Sequence, residues 1–297
     1  MSNNFSDLSV VVVTYKTNLN ILEKCLSSID PSVKIIIVEN SSKFINEDQI
    51  SNKYKNVSIF CSGENIGYGG GNNYGLQKVD TKYALILNPD IICEKNYFVN
   101  LKNYLNDELD FSIIGSQYID NELYAPAGFF DSDLSLKDAE YIQNLNLSKV
   151  EWVVGCSMLL NLKKFKSKFI FDENFFLFFE EFDLCKFLKK NGENVYSSSK
   201  LIVNHFGFKS STDFTNETDL IKLRNWHYMW SYFYYHKKNE GYFKALQVSF
   251  GKLIRSFLKF IFFTLIFNKK KRTIYFYRFL GLLNSMMGKK SLFRIND

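Results

Sequence analysis

The sequence predicts an α/β fold, a doubly wound and mostly parallel sheet, on three observations. Short apolar runs rich in Val and Ile recur at 8–14, 33–39, 57–61 and 83–87; helical stretches separate them; and polar residues stand where the runs end. Runs of this kind suit strands buried on both faces, and their alternation with helices is the pattern of a parallel sheet. In such sheets ligands bind beyond the carboxyl ends of the strands. That rule directs attention to Thr14-Tyr15, Glu39-Asn40-Ser41 and Asn88-Pro89-Asp90.

The helices follow in order. Residues 19–29 carry Leu22, Leu26 and Ile29 at helical spacing, 72–79 follow a glycine run, and 96–105 follow the fourth strand. The middle of the chain, about 110–215, reads as mixed: strands at 111–118, 151–154 and 157–161, a helix over 178–190, and a polar loop over 131–147 that reaches over the site or the acceptor. Beyond about residue 217 the pattern becomes helical and dense in aromatics, among them Trp226, Tyr228, Trp230 and Tyr232.

At 297 residues, 46% hydrophobic and 23% charged, the chain is long enough for a substantial core and is not compositionally disordered. Its five cysteines are scattered and form no C-x-x-C pair, which points to thiols rather than a disulfide framework or zinc knuckle. No charged start followed by an apolar run marks a signal peptide, so a cytoplasmic location is expected. The net charge of +6 is unevenly spread, with twelve Lys and Arg against one acid from Tyr242 to Asp297. A basic tail of this kind calls for an anionic partner.

Four segments carry chemistry. The glycine-rich 65–75 opens a helix, where backbone amides favour anions; it is equally a tight turn, and its place after the third strand excludes a dinucleotide fingerprint. Asn88-Pro89-Asp90 has good turn chemistry, and its carboxylate and amide suit a divalent cation that neutralises a diphosphate. Glu180, Glu181 and Asp183 open an amphipathic helix, where they either complement the helix dipole or supply a general base. His205, followed by Gly207, Lys209 and Ser210, is either structural or part of a metal-diphosphate site.

The order of these motifs over 8–211 (strand-Thr-Tyr, Val-Glu-Asn-Ser, Asn-x-Gly-x-x-x-Gly-Asn-Asn-x-Gly, Leu-Asn-Pro-Asp, Phe-Glu-Glu-x-Asp-Leu-Cys, His-x-x-Gly) resembles family-2 glycosyltransferases, within them the rhamnosyltransferase-like branch of bacterial surface-polysaccharide synthesis. The resemblance implies a GT-A-type, Rossmann-like sheet over 1–215, with a nucleotide-sugar-binding half (1–110) and an acceptor and base half (111–215), and a helical, basic, membrane-associating region over 216–297. It implies that Thr14, Tyr15 and Glu39 hold the nucleoside and that Asn65, Gly67 and Asn72 surround the nucleotide. Asn88-Pro89-Asp90 takes the place of the DxD motif, with Asp90 and His205 on Mg²⁺ or Mn²⁺. Glu181 stands at the base position, with Asp183 the second candidate, and Arg224 approaches the diphosphate. Three residues depart from the usual pattern: Glu39 and Glu181 stand where Asp is usual, and Asn88 replaces the first acid of the DxD motif.

The implied reaction is an inverting transfer to a hydroxyl of a polyprenyl-diphosphate-linked saccharide, as in O-antigen or capsule synthesis. L-rhamnose from dTDP-rhamnose is the favoured donor sugar, with a UDP-hexose (glucosyl, galactosyl or galactofuranosyl) as alternative. A catalytically impaired membrane-bound scaffold is the rival of another class. In the tail, residues 253–267 are apolar but interrupted by Arg255 and Lys259, and 268–272 are basic. The uninterrupted apolar part falls short of the ~20 residues that span a bilayer. It suits a helix lying in the interface of an anionic inner leaflet, or a subunit-contact helix. Nucleic acid is not an expected partner.

Overall fold

The computed structural model describes residues 5–106, 108–120, 122–124, 127–131, 133–205 and 217–294. The chain divides into two compact units, Met1–Phe171 with Leu184–Asp213 and Asp172–Asp183 with Phe214–Asp297.

The first unit runs β1 (Leu8–Thr14), α1 (Leu19–Ser27), β2 (Lys34–Glu39), α2 (Glu47–Lys53), β3 (Val57–Cys61), α3 (Gly67–Gln77), β4 (Tyr83–Leu87), β5 (Ile91–Cys93) and α4 (Tyr97–Leu101). It continues with β6 (Ile113–Asp120), β7 (Glu122–Tyr124), β8 (Ala127–Gly128), β9 (Tyr141–Ile142), β10 (Leu147–Val150), β11 (Trp152–Val153), β12 (Ser157–Asn161), α5 (Glu180–Lys190) and β13 (Val195–His205). The first turn of α5 belongs to the second unit. The main sheet has the order β3-β2-β1-β4-β12-β6-β13-β10-β9. It is parallel through β3, β2, β1 and β4, antiparallel on both sides of β12, and parallel again between β6 and β13.

Alternation explains why β1 reads as an unbroken apolar run. Val10 and Val12 pack on one face with Leu22 and Leu26 of α1, while Val11 packs on the other with Leu76 of α3. Each such side chain, fully buried, contributes about 1.5–3 kcal/mol. The N-terminus of α1 is fixed by Asn18, whose side-chain oxygen accepts from the amides of Asn20 and Ile21 at 2.9 and 3.3 Å.

Several boundaries differ from those expected. Helix α3 starts at Gly67, inside the glycine run, rather than at residue 72. The helix expected over 178–190 starts at Glu180, because Phe178 and Phe179 both adopt left-handed backbone with φ of 71°. The loop expected over 131–147 contains a short 3₁₀ turn and strand β9, and the helix over 96–105 is α4 followed by a 3₁₀ turn.

The second unit is built on α6 (Glu217–Glu240), α7 (Tyr242–Leu265) and α8 (Lys269–Met286). Met229, Phe233, Ala245 and Leu282 form its core. Helices α6 and α8 approach so closely that a Cβ at Gly281 would lie 2.2 Å from the carbonyl oxygen of Trp226. His227 is fully buried: its Nε2–H donates to the Phe293 carbonyl at 2.8 Å, leaving Nδ1 to accept from Ser291 at 3.0 Å. No described helix is long and apolar enough to cross a membrane.

Candidate active site

The parallel strands end in a set of tied polar groups. Thr14 and Glu39 are opposite each other at the last rung of the β1–β2 ladder. Glu39 is 1% exposed. Its carboxylate accepts from the Thr14 hydroxyl at 2.6 Å, the Ser41 hydroxyl at 2.7 Å and the Lys16 amide at 3.0 Å. Charge-assisted bonds of this kind are the stronger ones, and they hold Lys16 in left-handed backbone with φ of 47°. The Lys16 ammonium lies 5.6 Å from the centre of the Tyr15 ring. Glu39 and Lys16 line a cavity of ≈ 210 Å³ with Thr17, Asn18, Lys43 and Phe44.

The glycine run makes its close approaches to the protein itself. A Cβ at Gly71 would lie 2.7 Å from Val13, and one at Gly75 would lie 2.5 Å from Val11, so α3 is pressed onto β1. Gly67 sits at φ of 82°, and its amide donates to the Asn65 side chain at 3.1 Å. Its carbonyl accepts from Asn40 at 2.7 Å, which joins the end of β2 to the start of α3. Asn40 and Asn72 each keep a buried side-chain oxygen with no partner in the described residues. Such atoms are costly to leave unmet and mark positions where a ligand donor is welcome. Asn73, the second Asn of the Gly-Asn-Asn motif, is wholly internal: it bonds the Phe171 carbonyl and the amides of Ile170 and Phe171, each at 2.9 Å.

Asn88 and Asp90 lie in the tight connection from β4 to β5. The Ile91 amide donates to the Asn88 carbonyl at 3.1 Å, and the Asn88 amide donates to the Cys156 carbonyl at 3.0 Å. Asp90 is 4% exposed and Asn88 is half-buried. The backbone of His205, at the end of β13, pairs with Ile91, one residue from Asp90. The His205 imidazole and Gly207, Lys209 and Ser210 lie outside the described residues. Among the described residues, no three His, Cys, Asp or Glu side chains gather into a metal cage. One carboxylate and one amide are hard oxygen donors that fit a Mg²⁺ or Mn²⁺ ion taking its other ligands from phosphate and water. Beneath this turn the buried Cys25 thiol reaches the Asn88 carbonyl at 3.6 Å. Burial, and then Cys93 and Asp90, push that thiol well above its ordinary range.

The acidic segment belongs to the second unit, and its three carboxylates sit in different surroundings. Asp183 is buried and accepts from Lys238 at 2.6 Å and Asn239 at 2.9 Å; Lys238 also bonds Asp172 at 2.7 Å. Glu180 is 3% exposed, with one oxygen lacking a partner in the described residues. Burial, reinforced by Glu181, raises its carboxyl well above the carboxylate range. Glu181 itself is half-buried. The left-handed pair before them is held by aromatic contacts: Phe178 meets Tyr228 edge-on at 5.7 Å, and Phe179 contacts Tyr228, Tyr232 and Tyr235. Strain of this kind costs of order 1–3 kcal/mol per residue and is retained where geometry matters. Lys238 and Asn239 had no local sequence signal, since they reach Asp183 from 55 and 56 residues away.

Arg224 lies in α6, half-buried, with its pKa lowered by loss of solvent. It lines a cavity of ≈ 760 Å³ within the helical unit, together with residues of α7 and α8.

Comparison with known proteins agrees with this architecture. Over 199 residues the chain is 27% identical to the low-salt glycan biosynthesis hexosyltransferase Agl10 of Haloferax volcanii, spanning 64% of each chain. Over 236 residues it is 24% identical to the rhamnosyltransferase WbbL of Escherichia coli K12, spanning 68% of this chain and 81% of the relative. The fold matches that of the mannosyltransferase PcManGT of Pyrobaculum calidifontis, solved with GDP-Man and Mn²⁺, at a TM-score of 0.53 and 10% identity over 95% of this chain and 88% of the other. Residues 9–169, more than half of the sequence, match the profile of "Glycosyl transferase family 2". From β1 to the connection after β12 the chain belongs to glycosyl transferase family 2.

Proposed function

We propose that the protein is an inverting glycosyltransferase of surface-glycan synthesis that uses a nucleotide-sugar donor. The observation that carries this reading is the alignment of Thr14, Glu39, Asn88 and Asp90 at the carboxyl ends of adjacent parallel strands, where such sheets bind their ligands. Thr14, Tyr15 and Glu39 form the nucleoside end, with Glu39 ordering the loop through Lys16. Asn65, Gly67 and Asn72 border the nucleotide, and the free oxygen of Asn72 supplies an acceptor there. Asn88 and Asp90, with His205, would hold Mg²⁺ or Mn²⁺, which when bound neutralises charge on the departing diphosphate.

Glu181 is the proposed base. It takes the proton of the acceptor hydroxyl as that oxygen attacks the anomeric carbon from the face opposite the leaving group, a single displacement that inverts configuration. An ordinary carboxylate is a weak base for a sugar alcohol, so it acts by proximity and orientation, with proton transfer late. The engagement of Asp183 by Lys238 and Asn239 gives that second carboxylate the work of anchoring the segment.

The relation to the rhamnosyltransferase WbbL supports L-rhamnose, for which dTDP-rhamnose is the proposed donor, as first choice, and that to the hexosyltransferase Agl10 keeps a hexose, with a UDP-hexose as proposed donor, as second. The acceptor is proposed to be a polyprenyl-diphosphate-linked saccharide met at an anionic membrane surface. Phe250, Ile254, Leu258, Ile261 and Leu265, all exposed along α7, support such contact. Nucleoside diphosphate release from dTDP-rhamnose and UDP-hexoses, with Mn²⁺, tests the reading. Glu181→Gln is expected to lower turnover by about 10²–10⁴-fold while donor binding stays unchanged. Turnover by Glu181→Gln at the parent rate would overturn the assignment of the base.

A further inference from the structure

We propose that the cavity between α6, α7 and α8 is a diphosphate-binding site, and that its occupant is the head group of a lipid-linked diphosphate. This rests on the reading above only in taking the acceptor to be lipid-linked; the site itself follows from the lining. Among the described residues, Arg224, Lys252, Arg255, Lys259 and Arg278 face the cavity, against the single carboxylate of Glu217. That carboxylate is engaged by Lys270 at 2.7 Å, outside the lining. Like charges gathered in one concavity repel one another and focus a positive field, which an anion relieves. The Tyr275 phenol reports that field: the hydrogen bond from Lys259 at 3.0 Å, with Arg278 and Arg255 adding, holds it below the ordinary tyrosine range.

The donors suit phosphate. Three guanidinium groups offer forked pairs of N–H donors matched to phosphate oxygens, and two ammonium groups add mobile point charges. The volume of ≈ 760 Å³ lies within the range of small-molecule pockets, roughly 300–1,000 Å³, and exceeds what one diphosphate needs. Phe178 and Tyr228 also line it, three residues before and across from the proposed base segment.

A diphosphate could come from a nucleotide or from a lipid, and α7 favours the lipid. Lys252, Arg255 and Lys259 recur at intervals of three and four, so they form one row along the helix. Leu258 and Phe262, 58% and 54% exposed, stand three and seven residues beyond Arg255 and border that row. They continue into the exposed Ile254, Ile261 and Leu265. One helix thus presents a cationic row to the cavity and, beside it, an open apolar row that suits an isoprenoid chain.

Calorimetric titration of the full chain with farnesyl diphosphate, inorganic pyrophosphate and dTDP tests this. Farnesyl diphosphate is expected to bind at least about tenfold more tightly than pyrophosphate. The double substitution Arg255→Gln with Lys259→Gln should weaken it by a further tenfold or so while dTDP affinity stays within about twofold. The melting temperature of that variant should be unchanged or higher, because repulsion is removed, which separates lost binding from lost fold. Equal affinity for farnesyl diphosphate and pyrophosphate would overturn the lipid as occupant. Parallel loss of dTDP binding would reassign the cavity to the donor, and farnesyl diphosphate binding indifferent to the substitution would remove the site. If no nucleotide sugar is turned over yet farnesyl diphosphate binds as described, the catalytic reading fails and the cavity assignment stands.

Discussion

Glu180 and His227 are both buried in the helical unit, and their protonation states pull its stability in opposite directions with pH. The Glu180 carboxyl is raised above its ordinary value, first by burial and then by Glu181, so the folded state holds a proton that the unfolded chain gives up. Its contribution is present below the ordinary carboxyl range and is lost as pH rises through the folded value. Glu180→Gln, which keeps the shape and removes the titration, is expected to flatten the fall in melting temperature as pH rises above the ordinary carboxyl range. His227 is lowered from 6.5 to about 3, chiefly by burial, and stays neutral on its bonds to Ser291 and Phe293. Its contribution is present above 6.5 and is lost as pH falls toward 3, with a slope of up to ~1.4 kcal/mol per pH unit. Melting curves of His227→Gln between those limits should show a shallower acid slope than the parent. An unchanged slope would assign the acid sensitivity to other groups.

Two helices depend on glycine for their seats. Gly75 lets α3 rest on Val11 and Val38, where an added Cβ would lie 2.5 and 3.0 Å from their methyl groups. Gly281 lets α8 meet the backbone of α6, where a Cβ would lie 2.2 Å from a carbonyl oxygen that no rotamer can move. Gly75→Ala is expected to cost about 1–3 kcal/mol, the usual range for overpacking, and Gly281→Ala to cost more. Chemical denaturation checks the order, which would be reversed if α8 slid freely along α6. Legibility from sequence followed the same division. Strands β1 and β2 could be read because their β-branched residues are buried on both faces, and β3 and β4 because they repeat the short apolar run. The start of α3 could not, since glycine disfavours helix and only the packing on β1 overrides that preference. Helix α2 was missed because Ile50 is its one buried residue. Thr14, Glu39 and Asn88 were legible as polar endings of apolar runs, whereas the anchor of Asp183 and the five-cation cavity join residues distant in sequence, which local patterns do not encode.

At the scale of the whole molecule, the sequence enters the helical unit at Asp172, leaves it at Asp183, and returns at Phe214. The proposed base therefore travels with α6, although it precedes β13 in the chain. A fragment ending at residue 215 would lack Lys238 and Asn239, the groups that hold Asp183, and Tyr228, which braces Phe178 and Phe179. Such a fragment is expected to lose turnover altogether, and to do so even if it retains affinity for the donor nucleotide. Turnover at the parent rate would show that the acidic segment holds its shape unaided. The same interleaving bears on how enzymes of this build diversify. A recombination that brought in a new set of C-terminal helices at one crossover point would separate Glu181 from the residues that brace it. Exchange of the whole helical unit therefore calls for two coordinated replacements, one of the twelve residues before Leu184 and one beginning after the end of β13.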